Sequence, residues 1–140
     1  MTESKKKELV RMALEARTFA YAPYSGFRVG AALLAEGGRI FTGCNVENAA
    51  YGPSNCAERT AVFKAVSEGA RSFTAIAVAG GAGEDAPDRY TAPCGVCRQV
   101  LMEFCAPERF LVLLGKGDLT WEEYTLAELL PVSFSPQNLQ

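Results

Sequence analysis

Hydrophobic and polar residues alternate along this chain with two periods. Between Ser4 and Tyr21, Leu9, Met12, Ala13, Ala16, Phe19 and Ala20 recur at three- and four-residue steps among Lys, Glu and Arg, which predicts a helix stopped by Pro23. Phe27 to Ala35 is Val- and Leu-rich, Glu36-Gly37-Gly38 makes a turn, and Arg39 to Cys44 returns as the second arm of a β-hairpin. Asn45 to Ser54 is a polar loop containing Gly52-Pro53. A helix starting near Ser54 or Asn55 follows, with Ala61, Val62, Ala65 and Val66 on its buried face and Gly69 at its end. Phe73 to Ala79 reads as a short apolar strand, and Gly80 to Ala92 as a Gly- and Asp-rich loop. A helix from Cys94 to about Phe104 comes next, with Pro107 closing the link that follows. Phe110 to Leu114 is an apolar strand, Gly115 to Asp118 a turn, and Trp121 to Tyr124 a short last strand. Thr125 to Glu128 has capping-box spacing for a helix ending at Pro131, and Ser135-Pro136 caps a final short turn. Helices alternating with apolar strands predict an α/β sandwich with a mixed sheet between helical layers.

The length, 140 residues, fits one domain, 1–140, and no repeat or linker interrupts it. Hydrophobic residues at 49% and charged residues at 21% allow a core without disulfide staples. A net charge of −2 speaks against nucleic acid as a partner, because phosphate binding wants clustered Lys and Arg. Lys5, Lys6 and Lys7 are the one basic run and read as a solvated first helical turn. The amino end lacks the apolar segment of a signal peptide, and no run approaches a membrane span, so the expected location is cytoplasmic, with no membrane partner.

Five cysteines and no histidine change the picture most. Without histidine, Ser-His and Cys-His catalysis are excluded, and a metal must be held by thiolates or carboxylates. Cys94 and Cys97 form a Cys-x-x-Cys pair, with Cys56 lying 38 residues upstream and Glu58 two residues beyond it. Three sulfur ligands suit a catalytic zinc, which keeps one position for water; a structural zinc is usually closed by four. Both sets fall at predicted helix starts, where partial positive charge and free N–H groups favour thiolate. Three thiolates and one Zn²⁺ leave a net −1. Arg59 is a candidate donor to the sulfurs as well as an ordinary surface arginine, and Arg98 and Gln99 are further candidates. Glu58 has two readings: a proton carrier for metal-activated water, or the capping-box partner of Asn55. Cys44 and Cys105 read as packing residues. Thiolate softness also suits iron.

Cys-Ala-Glu-Arg-Thr at 56–60 and Pro-Cys-Gly-Val-Cys-Arg-Gln at 93–99 resemble the zinc-site segments of the small homotetrameric cytidine deaminases. The three-cysteine set with a non-ligating glutamate is the known layout of zinc deaminases, not something that spacing alone establishes. The resemblance extends to Pro23–Leu33, to Asn45–Tyr51, which looks like a ribose-binding segment, and to Leu129–Phe134. It implies a three-layer α/β/α sandwich with a central mixed five-stranded sheet, and one Zn²⁺ per subunit on Cys56, Cys94 and Cys97. It also implies conversion of cytidine and 2′-deoxycytidine to uridine and 2′-deoxyuridine plus ammonia, as in pyrimidine salvage. Metal-activated water would attack C4, while Glu58 protonates N3 and then the leaving amine. By the same resemblance Phe27 packs on the pyrimidine, Asn45 and Glu47 bond the ribose 3′-hydroxyl, and backbone near Ala57 reads the base edge. Arg59 bonds the thiolates and is held by Gln99. Phe134 reaches a neighbouring subunit's site in a homotetramer, and Tyr24 and Tyr51 lie at or near subunit contacts. Read without the resemblance, Phe27 and Phe134 are core-packing residues, Asn45 is turn chemistry and Glu47 is solvated.

Three other readings make different demands. A deaminase of an aminoacylated nucleoside antibiotic, as in blasticidin S deaminases, would share the zinc motifs but want other sugar contacts than residues 45–51 offer. A nucleic-acid-editing deaminase needs a basic groove for a strand. A non-enzymatic zinc scaffold needs a fourth protein ligand. The loop Gly80–Ala92 matches no segment of known role.

Overall fold

A computed structural model describes residues 1–140. Its first helix, α1 (Glu3–Arg17), is capped by Thr2, whose hydroxyl accepts from the Lys5 N–H at 3.1 Å. Leu9, Val10, Ala13, Ala16 and Arg17 form its buried face. The helix stops four residues before the expected Tyr21. The Phe19 and Ala20 N–H groups bond the carbonyls three residues back, tightening the last turn. Tyr21 then leaves to pair with the loop beyond the hairpin, donating to Asn45 O and accepting from Glu47 N. Phe19, expected inside, is 80% exposed as a result. Lys6 is not solvated as expected; its ammonium lies 2.8 Å from Glu123.

Five strands form one mixed sheet: β1 (Phe27–Ala35), β2 (Ile40–Cys44), β3 (Phe73–Ala82), β4 (Leu111–Gly115) and β5 (Trp121–Thr125), in spatial order β2-β1-β3-β4-β5. Only β3 and β4 run parallel. The strand alternation sorts side chains by face. Ala32, Leu34, Ala75, Ala77, Ala79 and Leu113 meet α1 on one side. Ala31, Leu33, Ile76, Val78, Val112 and Leu114 meet the other helices on the opposite side. Those helices are α2 (Ala57–Ser67), α3 (Gly95–Met102) and α4 (Leu126–Leu129). The expected three-layer α/β/α sandwich with a mixed five-stranded sheet is therefore the observed architecture.

Two glycines set how closely the helices seat. A Cβ at Gly30 would lie 2.0 Å from Ala13 O, and one at Gly43 would lie 2.6 Å from Ala57 O. Any larger residue would lift α1 off β1, or the start of α2 off β2. β3 runs three residues past the expected Ala79, because Gly80, Gly81 and Ala82 pair with Val29, Arg28 and Phe27. Thus the first part of the expected loop 80–92 belongs to the sheet.

Both helices near the cysteines start later than their sequence suggests. Asn55 is drawn into a bridge with Val46, and its side-chain amide donates to Thr60 Oγ1, so it does not cap. Cys56 is the N-cap of α2, and Cys94 that of α3. At its other end α2 closes as expected on Gly69, at φ +98, with Gly69 N to Val66 O and Ala70 N to Ala65 O completing a Schellman pair. The Thr125–Glu128 capping box forms in full, and Ser135 caps a 3₁₀ turn over Pro136–Leu139.

Candidate active site

The two N-caps place their sulfurs at facing helix starts. Cys56 and Cys94 both have extended backbone, and neither side chain caps a backbone N–H of its own helix, so both sulfurs face one another across the helix starts. Cys97 lies three residues after Cys94, on the same helical face. Sγ of Cys94 is 3.8 Å from that of Cys56 and 3.5 Å from that of Cys97, and all three lie within 4.8 Å of one another. A tetrahedral ion with Zn–S bonds of about 2.3 Å requires sulfur–sulfur edges of about 3.8 Å. The spacing therefore fits one zinc ion. These are the only three or more potential metal-ligating groups gathered in the chain, so no fourth protein ligand closes the set.

Charge supports the same use. The Arg59 guanidinium donates from Nη2 to Cys56 Sγ at 3.2 Å, which decides between its two readings in favour of the sulfur contact. Without metal, the Cys56 thiol is pushed down to about 5 because its thiolate accepts from the Cys97 thiol and from Arg59, while Cys97, the donor, is pushed up. A bound divalent cation would favour thiolate at the cluster further than one arginine does. Nε of Arg59 is buried with no partner in this chain.

Glu58 is 4% exposed. Burial raises its carboxyl from 4.5 to about 7, assisted by the Cys56 thiolate. The alternative capping role fails because Asn55 is not the cap. A buried carboxyl poised near neutrality, two residues from a metal-type sulfur, is suited to moving a proton at neutral pH.

The cluster opens into a cleft of about 480 Å³, within the range that holds a small molecule. It lies where β1 begins and β2 ends, against the starts of α2 and α3. Phe27, Val29, Asn45, Glu47, Ala57 and Glu58 line it. Phe27 is 40% exposed at the start of β1, so it is not the core residue that its apolar strand suggested. Ala57 is fully buried at the first position of α2, where a helix leaves its N–H without an internal partner. Asn45 is locked against β1: its Oδ1 accepts from Val29 N and its Nδ2 donates to Phe27 O, both at 2.8 Å. Glu47 is not freely solvated. Its Oε1 accepts from the Tyr24 and Ser25 N–H groups at 3.0 and 3.1 Å, and its Oε2 from the Ser25 hydroxyl. These bonds, the hydroxyl first, hold the carboxyl below its usual range.

Other expected residues lie elsewhere. Tyr51, 80% exposed, lines an adjoining depression with Tyr24 rather than the cleft itself. Phe134 is 49% exposed near the carboxyl end. Gln99 does not hold Arg59. It donates to the Phe134 carbonyl at 2.9 Å, because the tail folds back along α3 and offers an acceptor there. Arg98 likewise bonds Pro93 O and Leu129 O, not sulfur. Two residues escaped the sequence reading. Ser25 sits in an ordinary-looking Tyr-Ser-Gly turn that carried no signal. Arg17 is 5% exposed and bonds the Arg28, Gly81 and Gly83 carbonyls. Its place four residues after Ala13, on the apolar stripe, was the available signal.

Comparison with known proteins agrees with this geometry. The family model of the cytidine and deoxycytidylate deaminase zinc-binding region matches residues 3–113. The chain is 53% identical over 134 residues to a cytidine deaminase of Sporosarcina psychrophila, covering 95% of this chain and 93% of that one. To a cytidine deaminase of Halalkalibacterium halodurans it is 49% identical over 133 residues, covering 94% and 95%. Among solved structures, a 1.6 Å cytidine deaminase from Burkholderia pseudomallei superposes with a TM-score of 0.83 at 46% identity, covering 96% of this chain and all of that one. Fold and sulfur cluster together define a zinc-binding deaminase of the three-cysteine type. The chain belongs to the cytidine deaminase family. Zinc, one ion per chain, is its cofactor.

Proposed function

We propose that this protein hydrolyses cytidine and 2′-deoxycytidine to uridine and 2′-deoxyuridine, releasing ammonia. The observation that carries the reading is Glu58: a buried carboxyl lifted to about 7, beside three sulfurs at metal-binding distance, at the wall of a nucleoside-sized cleft. Cys56, Cys94 and Cys97 hold the zinc, which when bound supplies the Lewis acidity that makes water a nucleophile near pH ~7. Glu58 accepts a proton from the attacking water and passes it to N3 of the base. It then moves the second proton to the exocyclic amine, which departs as ammonia as the C4 carbonyl forms. Water and cytidine are consumed one for one, and the carboxyl returns to its starting state.

Recognition falls to the cleft walls. Phe27 stacks on the pyrimidine, and the free N–H at Ala57 faces its polar edge. Asn45 and Glu47 engage the ribose 3′-hydroxyl; each keeps hydrogen-bonding capacity beyond its bonds to the chain. Arg59 offsets negative charge on the sulfurs. Gln99 fixes the tail that carries Phe134, and Phe134 completes the cleft of a neighbouring subunit in a homotetramer, with Tyr24 and Tyr51 near the contact. Exposure of Phe134, Tyr24 and Tyr51 at 49%, 54% and 80% supports that assembly. No helix is long and apolar enough to cross a membrane. The test is loss of cytidine ultraviolet absorbance by protein of known zinc content. Stoichiometric release of ammonia and uridine is expected; no turnover by zinc-loaded protein refutes the reading.

A further inference from the structure

Around the cleft, the groups assigned to base and sugar are joined by one small side chain. The Ser25 hydroxyl donates to Glu47 Oε2, and its oxygen accepts from the Phe27 N–H at 3.0 Å. The Ser25 and Tyr24 N–H groups hold the other oxygen of the same carboxylate. Three donors from one two-residue turn therefore fix Glu47 on both oxygens. Asn45 is bolted to the neighbouring carbonyl and N–H of β1, at Phe27 and Val29. Ser25 itself lies in an exposed loop between α1 and β1, packed into no core. Its bonds do little for the fold and much for the cleft.

We propose that Ser25 is a positioning residue for sugar recognition: its hydroxyl aims the Glu47 carboxylate at the 3′-hydroxyl and ties that aim to the seat of the base at Phe27. The inference rests on the reading of Glu47 as a ribose contact. An ionised carboxylate with one remaining acceptor direction discriminates a hydroxyl donor from its absence, because an acceptor held in place is left unpaired when the donor is missing. Loosening the carboxylate weakens that discrimination and leaves proton transfer at Glu58 intact. Glu47 then samples other rotamers, and the ligand must bear the cost of ordering it.

The experiment compares cytidine with 3′-deoxycytidine in wild type, Ser25→Ala, Ser25→Thr and Glu47→Gln, measuring kcat and KM, or KI by competition where turnover is slow. For Ser25→Ala the expected result is a KM for cytidine raised about tenfold. Its kcat should stay within about twofold, and its affinity for 3′-deoxycytidine should be nearly unchanged. Ser25→Thr, which keeps a hydroxyl, should recover most of the loss. An equal loss for both ligands in Ser25→Ala, or no rescue by threonine, overturns the proposal: the serine would then serve only the loop or the base seat. If Glu47→Gln penalises both ligands equally, the ribose reading itself fails. If Glu47→Gln penalises cytidine alone while Ser25→Ala changes neither ligand, only the role of Ser25 fails.

Discussion

Replacing Glu58 with glutamine separates the cost of the site to the fold from its benefit to chemistry. In the metal-free protein the carboxyl has an ordinary value of 4.5 when unfolded and about 7 when folded, chiefly because it is buried. Burial thus favours the neutral acid. Below pH 4.5 both states hold the proton and folding is indifferent to it. As pH rises toward 7 the unfolded chain releases the proton, the folded one keeps it, and stability falls. At 1.36 kcal/mol per pH unit, the loss reaches about 3 kcal/mol above pH 7. Glutamine has nearly the same shape and does not titrate. Chelator-treated Glu58→Gln should therefore match wild type at pH 5 to within about 1 kcal/mol and exceed it by about 3 kcal/mol at pH 8. For a chain of this size that is a rise in Tm of roughly 10 °C. Thermal unfolding followed by circular dichroism, at fixed protein concentration, reads the difference. Glu58 and the cysteines titrate together, because the Cys56 thiolate raises Glu58 and Glu58 raises Cys97, so the difference between the two proteins includes that coupling. Zinc should shrink the gap, since a cation stabilises the carboxylate. Turnover of the zinc-loaded variant should fall by ~10²–10⁴-fold. A stability difference independent of pH, or a wild type that gains on the variant as pH rises, refutes the reasoning.

Three further outcomes are expected. Cys94→Ala should lose stoichiometric zinc, measured by elemental analysis; retention of one zinc per chain removes Cys94 from the ligand set. Phe134→Ala should raise the cytidine KM several-fold with little change in Tm, whereas an unchanged KM favours simple packing of the tail. Arg17→Met should lower stability by ~3 kcal/mol in urea unfolding, because carbonyls of Arg28, Gly81 and Gly83 lose their buried donor. A loss under ~1 kcal/mol would mean that water replaces the guanidinium.

The sequence made the layers legible because strand alternation and helix periodicity are local. It made the sulfur cluster legible because Cys-x-x-Cys and Cys-x-Glu place their side chains within one turn of a helix start. What it hid was set by contacts distant in the chain. α1 ends early because Tyr21 pairs with the segment after β2. Asn55 gives up its cap to Val46, which moves the cap to Cys56 and frees Glu58 for the cleft. β3 outruns its apolar stretch because β1 offers partners to two glycines. The three donors on Glu47 come from residues more than twenty positions earlier, so a carboxylate that looked solvated is held on both oxygens.

The central claim is that three sulfurs hold one ion at which Glu58 moves protons during cytidine hydrolysis. The most direct measurement titrates zinc into chelator-stripped protein and follows loss of cytidine absorbance at each addition. Activity should rise linearly and break sharply at one zinc per chain, with Glu58→Gln binding the same single ion and staying inactive. Activity already full without zinc, or undiminished in the glutamine variant, would contradict the account.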